Sequence, residues 1–241
     1  YKKNLITELS FKESELTKLL VNCYLTLKIS FSNMVKIINK DNKGVDLNKI
    51  LNAIGSDSRI GKKFLQAGGP FSGPCLPRDT MALNFFSKNN SYVNSIANAS
   101  IKTNEDSINL IKSELSKFKS LKFNSIIFAG VGYKSNTPSL EETFILDLIS
   151  YAYSIGFEVY YYDDYIQEPI DKAVRIKKNE INKFSNLIFL PYVDQKFNSL
   201  TKFNGYIYDI WFQLYDNNVI RSSNDVKVNF EKDNIIKFSG K

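Results

Sequence analysis

Between Glu8 and about Asn39 the chain carries neither proline nor glycine, and apolar side chains recur at Leu16, Leu19, Leu20, Cys23, Leu27, Phe31, Met34, Ile37 and Ile38. Steps of three and four residues are the period of an α-helix, so the spacing predicts one long helix here. Such a helix exceeds what a small domain needs to cover itself, and its stripe can serve both its own core and a partner subunit. After a break at Lys43-Gly44, Asp46 is placed to cap a short helix through Ile54. Gly and Pro then crowd the stretch from Gly55 to Pro77, which reads as loop. Asp79 is expected to cap a helix through Phe86, and another follows from about Tyr92 to Lys117.

From Leu121 the texture changes. Ser125-Ile126-Ile127-Phe128-Ala129 is a β-rich apolar run ending in Gly130-Val131-Gly132, and a helix from Glu141 to Tyr153, a strand from Glu158 to Tyr162 and a strand from Leu187 to Leu190 follow. Alternating strand and helix argues for a parallel sheet with helices on both faces. The expected class is therefore α/β, with a helical region over residues 1–120 and a parallel α/β domain over 121–241.

Charge and composition narrow the chemistry. The formal charge is +7, but it is lysine spread along helices with only Arg59, Arg78, Arg175 and Arg221 supplying guanidinium, so solvated surface rather than nucleic-acid binding is expected. No stretch reaches the roughly 18 to 20 apolar residues of a membrane span, and no leader pattern opens the chain, which reads as cytoplasmic. Histidine is absent and the two cysteines, Cys23 and Cys75, lie far apart. No zinc spacing exists, no metal is expected, and acid–base work falls to carboxylates, lysines or water.

Cys75 lies in the glycine-rich stretch Gly68-Gly69-Pro70-Phe71-Ser72-Gly73-Pro74-Cys75-Leu76-Pro77-Arg78-Asp79, just before a helix start. Helix N-termini and nearby cations favour the thiolate, which is the nucleophilic form. A lone cysteine is more often a small buried hydrophobe, whereas glycines beside it let backbone approach a ligand. Lys18 and Asn22 stand four apart on one face of the long helix, and from spacing alone they read equally as ordinary solvated residues. Gly130-Val131-Gly132, with Asp163 after the next strand, carries a partial dinucleotide pattern that lacks its third glycine.

The order of these segments is more specific than any one of them. Glu15 to Asn33 resembles the central helix of the UDP-glucose/GDP-mannose dehydrogenase family. Gly55 to Leu65 is similar to that family's Ile-Gly-x-Asp-x-Arg-Ile-Gly segment, and Phe71 to Asp79 to its Phe-Gly-Gly-Ser-Cys-Phe-Pro-Lys-Asp motif. Gly130 to Thr137, Leu146 to Ile149 and Tyr162-Asp163 resemble its C-terminal domain.

The resemblance implies oxidation of the C6 alcohol of a UDP- or GDP-sugar to a carboxylate, with NAD, for surface polysaccharide. It implies Cys75 as nucleophile through a thiohemiacetal and thioester, Lys18 and Asn22 as oxyanion stabilisers, and Asp79 as the group ordering the hydrolytic water. Phe64, Leu65, Gly73 and Lys134 match substrate contacts, and Arg59 matches an arginine reaching the neighbouring subunit's substrate. A homodimer through the long helix and a Rossmann-like second domain are implied as well. The family's NAD domain lies upstream of the segments matched here, so this fragment alone is expected to be inactive. Two departures stand out: Glu141-Glu142-Thr143 where the family has Arg-Glu-Ser, and Asp209-Ile210-Trp211 where it often has Asp-Gly-Arg. They leave a catalytically impaired binding or dimerisation scaffold as the alternative.

Overall fold

The computed structural model describes residues 7–38, 45–215 and 218–226. Helix α1 runs Phe11–Ile38, starting later than the residue pattern suggested because Ser10 and Glu13 form a reciprocal cap there. Lys43-Gly44, read as its break, lies outside the described residues. Asp46 caps α2, Leu47–Ser56, by accepting from the amides of Asn48 and Lys49. That helix carries Gly55 and Ser56, which the sequence reading had given to the loop.

The start of α3, Leu76–Phe86, corrects the expected cap. Cys75, not Asp79, is its N-cap residue, because Pro77 fits the first turn, where no amide hydrogen is needed. Asp79 sits one turn inside. Helix α4, Ser91–Ser120, is longer than expected and joins both halves: it packs on α1 and α3 at one end, and at the other Ile111, Leu115 and Phe118 enter the core beneath the sheet. Those three positions share one helical face.

The sheet contains β1 (Ser125–Phe128), β2 (Glu158–Tyr161), β3 (Val174–Arg175), β4 (Leu187–Leu190), β5 (Tyr206–Asp209) and β6 (Val219–Ile220). Their order is β3-β2-β1-β4-β5-β6 with every pair parallel, Ile127 lying between Tyr160 and Ile188. This is the doubly wound order, with the sense of strand addition reversing between β1 and β4. Alternation divides the core between the two faces. Ile126 and Phe128 face α4 and α5 (Phe144–Ser154), while Ile127 and Ala129 meet Ile181 of α6 (Ile181–Phe184), Phe197 and Leu200. Helix α5 begins at Phe144 rather than Glu141, since Glu142 takes a left-handed φ of 50° and Thr143 caps the helix by accepting from the Ile145 amide. Strands β3, β5 and β6 were not anticipated. Among the described residues no helix is long and apolar enough to cross a membrane.

Candidate active site

Helices α1 and α3 cross so that one carboxylate gathers three donors. Asn22 Nδ2 donates to Asp79 Oδ2 at 2.6 Å, Lys18 Nζ forms an ion pair with the same oxygen, and Arg78 Nε donates to Oδ1 at 3.1 Å. Asp79 is buried to 4% exposure. Burial works against its charge, but the hydrogen bonds from Lys18, Asn22 and Arg78 outweigh it and hold the carboxyl below its usual range. Spacing on α1 thus does bring Lys18 and Asn22 together, and α3 supplies what they meet.

Cys75 is exposed and lies four residues before Asp79, whose amide donates to the Cys75 carbonyl at 3.0 Å. Cys75 and Asp79 are thus one helical turn apart. Arg78 is a cation near both, which sequence reading passed over although it occupies the lysine position of the motif. Cys23 differs: its thiol points at the Asp79 carbonyl, and burial, then the Asp79 charge, push it up.

A cleft of about 470 Å³ opens beside this cluster, between the loop before α3 and the C-terminal ends of the sheet. Phe64, Ser72 and Leu76 line it from the helical half, and Tyr133, Lys134 and Trp211 from the sheet half. Phe64 carries a left-handed φ of 61°, so its backbone is turned sharply at the cleft, while Leu65 does not line the cleft and is buried with Leu47, Leu51 and Ala67. Gly73 has φ 83°, and a Cβ there would come within 2.4 Å of the Tyr133 ring, so only glycine allows this approach. Arg59 lies elsewhere, exposed and paired with Asp57 at 2.6 Å. Glu141 is exposed, within the electrostatic reach of Arg78.

Trp211 is not a mere loss of arginine. Its indole lies across Gly68 and Gly69, where an added Cβ would fall 2.0 Å and 2.7 Å from ring atoms. Asn33 fixes the same glycines from the other side, donating to the Gly69 carbonyl at 3.0 Å and accepting from the Gly68 amide at 2.9 Å. Lys36 Nζ bridges the carbonyls of Gly68 at 3.1 Å and Ile210 at 3.4 Å. Asp209, fully buried, accepts from the amides of Trp211, Gln213 and Leu214 and pairs with Arg221 at 2.9 Å. Neither Asn33 nor Lys36 stood out in sequence, and Trp211 did so only as a departure from Asp-Gly-Arg; the signal available for the wall was a single tryptophan two residues after Asp209 and polar residues on the inner face of a long helix.

The partial dinucleotide pattern does not make a dinucleotide site. The Val131 amide is taken by Asp163 Oδ2 at 3.0 Å, and Asp163 Oδ1 accepts from the amides of Tyr165 and Ile166. The Tyr192 hydroxyl stands where a Cβ on Gly130 would be, only 2.3 Å from it, so a phosphate has neither the free amide nor the room. The described residues therefore do not fit NAD at this end of the sheet. Among them no group of three or more His, Cys, Asp or Glu side chains is placed to hold a metal.

Residues 12–106 match the model of the UDP-glucose/GDP-mannose dehydrogenase family, central domain. The UDP-glucose 6-dehydrogenase TuaD of Bacillus subtilis is 34% identical over 159 residues, 66% of this chain and 34% of that protein. A UDP-glucose 6-dehydrogenase of Rickettsia bellii is 33% identical over 153 residues, 62% and 35% of the two chains. A UDP-glucose dehydrogenase structure from Pyrobaculum islandicum superimposes with a TM-score of 0.74 at 23% identity, covering 86% of this chain and 49% of that one. The UDP-N-acetyl-mannosamine dehydrogenase of Staphylococcus aureus gives 0.68 at 18%, covering 88% and 50%. At these identities the solved structures speak for the fold. The matched region spans about a third of the curated relatives and about half of the solved chains. Helical half, sheet order and sequence relatives agree, and residues 12–106 carry the central domain of the UDP-glucose/GDP-mannose dehydrogenase family.

Proposed function

We propose that this chain is the thiol-bearing, substrate-holding part of an NAD-dependent nucleotide-sugar 6-dehydrogenase, acting on a UDP- or GDP-sugar in the cytoplasm for surface polysaccharide. The observation that carries this reading is the convergence of Lys18 and Asn22 on Asp79, one helical turn from exposed Cys75 and beside a cleft. Residues 1–120 serve as the helical dimerisation region and 121–241 as the nucleotide-sugar-binding domain.

The roles follow from the chemistry of each group. The Cys75 thiolate attacks the C6 aldehyde: a C–S bond forms and the carbonyl electron pair moves onto oxygen. Lys18 has three donors and Asn22 two, so Lys18 keeps two and Asn22 one to spare for that oxyanion while still serving Asp79. At the thioester stage Asp79, held anionic, accepts a proton from water as its oxygen bonds to C6 and the sulfur leaves. Phe64, Leu65, Gly73 and Lys134 hold the nucleotide sugar, and Arg59, which makes no contact with this cleft, serves a neighbouring subunit. NAD accepts hydride in such a reaction; its site lies outside the sheet described above, so this chain alone is inactive.

Isothermal calorimetry of the chain against UDP-glucose, UDP-N-acetylhexosamines and GDP-mannose tests the reading. Binding of one of these, retained in Cys75→Ala, is expected. A folded chain that binds none of them would contradict it. A second reading, a binding scaffold without turnover, draws on acidic Glu141 and on Trp211 in the cleft wall. It predicts binding with no NAD reduction even in a full-length protein carrying an NAD domain.

A further inference from the structure

Resting on the nucleotide-sugar reading, we propose that Trp211 is a specificity-determining residue, the flat wall on which the sugar ring packs, so that the cleft tells a nucleotide sugar from the bare nucleotide. Three observations carry this. First, the indole is held as a rigid surface. Its backbone amide is tied to buried Asp209 at 2.9 Å, and its ring lies on Gly68 and Gly69, themselves fixed by Asn33 and Lys36 from α1. A surface locked before the ligand arrives spends little binding energy on ordering.

Second, the cleft suits a neutral ring rather than a charged group at this wall. Trp211 stands with Phe71, Phe144 and Tyr192, and Lys134 is the one cation lining the cleft. Such a lining takes the C–H face of a pyranose, whose hydroxyls point outward around the ring, better than it takes a diphosphate. Third, the wall leads toward the thiol-bearing turn: Gly69, Ser72 and Leu76 line the same cleft, and Leu76 follows Cys75 in the chain, although Cys75 itself does not line it. The part of the ligand that meets Cys75 in the proposed reaction is the sugar, so the sugar is what this wall faces. The Trp211 Nε1–H is enclosed without a hydrogen-bond acceptor, an unusual state for a buried donor.

Because Trp211 is the only tryptophan in the chain, the protein carries its own reporter. Calorimetric titration with UDP and with UDP-glucose gives the ratio of their affinities for the wild type, Trp211→Leu and Trp211→Phe, and Trp211 emission follows the same titrations. The expected result is tighter binding of UDP-glucose than of UDP, with that ratio falling about tenfold in Trp211→Leu and largely kept in Trp211→Phe. UDP affinity stays nearly constant across the three, and wild-type emission responds to UDP-glucose far more than to UDP. An unchanged ratio in Trp211→Leu, or equal weakening of both ligands, overturns the proposal. Should Trp211→Leu fail to fold, the wild-type emission and Trp211→Phe still decide it. A wild type that binds UDP and UDP-glucose equally overturns the inference and leaves the nucleotide reading standing. A wild type that binds neither these nor GDP-mannose nor a UDP-N-acetylhexosamine removes both; where one of the latter binds, the same ratio is read between it and its bare nucleotide.

Discussion

Ile126, Phe128, Leu148 and Phe189 of the sheet half are fully enclosed, whereas Leu16, Tyr24, Leu27, Phe31 and Met34 of α1 keep between 37% and 58% of their surface exposed. The buried residues of α1 are instead Thr26, Ser30, Ser32 and Asn33. They are satisfied by specific hydrogen bonds, including Thr26 to Thr80 and Asn33 to the glycine wall. One half closes on itself by apolar packing. The other closes by polar contacts and leaves its apolar stripe outward, in a patch larger than scattered single residues would make. A chain arranged this way keeps its stability in the sheet, and the proposed dimer would use the outward stripe of α1, whose other side holds Lys18 and Asn22 in place.

Contrasting substitutions break that comparison most forcefully. Phe189→Ala removes a fully buried ring and should cost about 3–5 kcal/mol in urea unfolding while leaving the association state alone. A loss under about 1 kcal/mol would mean the sheet core is not the source of stability assumed here.

The seam between the halves gives a pH test of nearly that size. Lys36 as a residue keeps some exposure, but its ammonium is enclosed between α1, Gly68 and Ile210; burial pushes it down to about 8, with Asp209 opposing, Arg221 adding and Glu114 opposing. Its ordinary value is 10.5. Between the two the unfolded chain binds more protons, so stability contributed by this group rises with pH across that window. The wild type should gain on Lys36→Met by up to about 3 kcal/mol from pH 8 to 10.5, at about 1.36 kcal/mol per unit. A pH-independent difference between the two proteins would place the ammonium in solvent.

Phe31→Asp probes the opposite half. A charge in the stripe should leave unfolding free energy nearly unchanged yet weaken self-association by about a hundredfold, read as a shift from dimer to monomer in light scattering. A monomeric wild type at micromolar concentration would remove the dimer from the account.

Sequence made α1 legible because nothing interrupts its period, and β1 and β4 because both are unbroken apolar runs buried on two faces. Strands β3 and β6 are two residues each and leave no pattern to read. Strand β5 was readable in Tyr206-Ile207-Tyr208, yet lies close behind a 3-10 helix that blurs its start. Asp79 is a good capping type and so reads as a cap, but Pro77 opens the helix one turn earlier and leaves Asp79 to Lys18 and Asn22. The glycine wall was invisible, since Asn33, Lys36 and Trp211 meet only when α1 folds against the end of β5.

Alkylation of the two cysteines tests the central claim, that an exposed thiol and the cleft form one nucleotide-sugar site. Iodoacetamide labelling followed by peptide mass mapping reads each thiol separately. The account predicts that Cys75 is modified much faster than Cys23, whose thiol is partly buried and pushed up, and that saturating UDP-glucose slows Cys75 alone. Labelling of Cys75 at the same rate with and without a bound nucleotide sugar would contradict it.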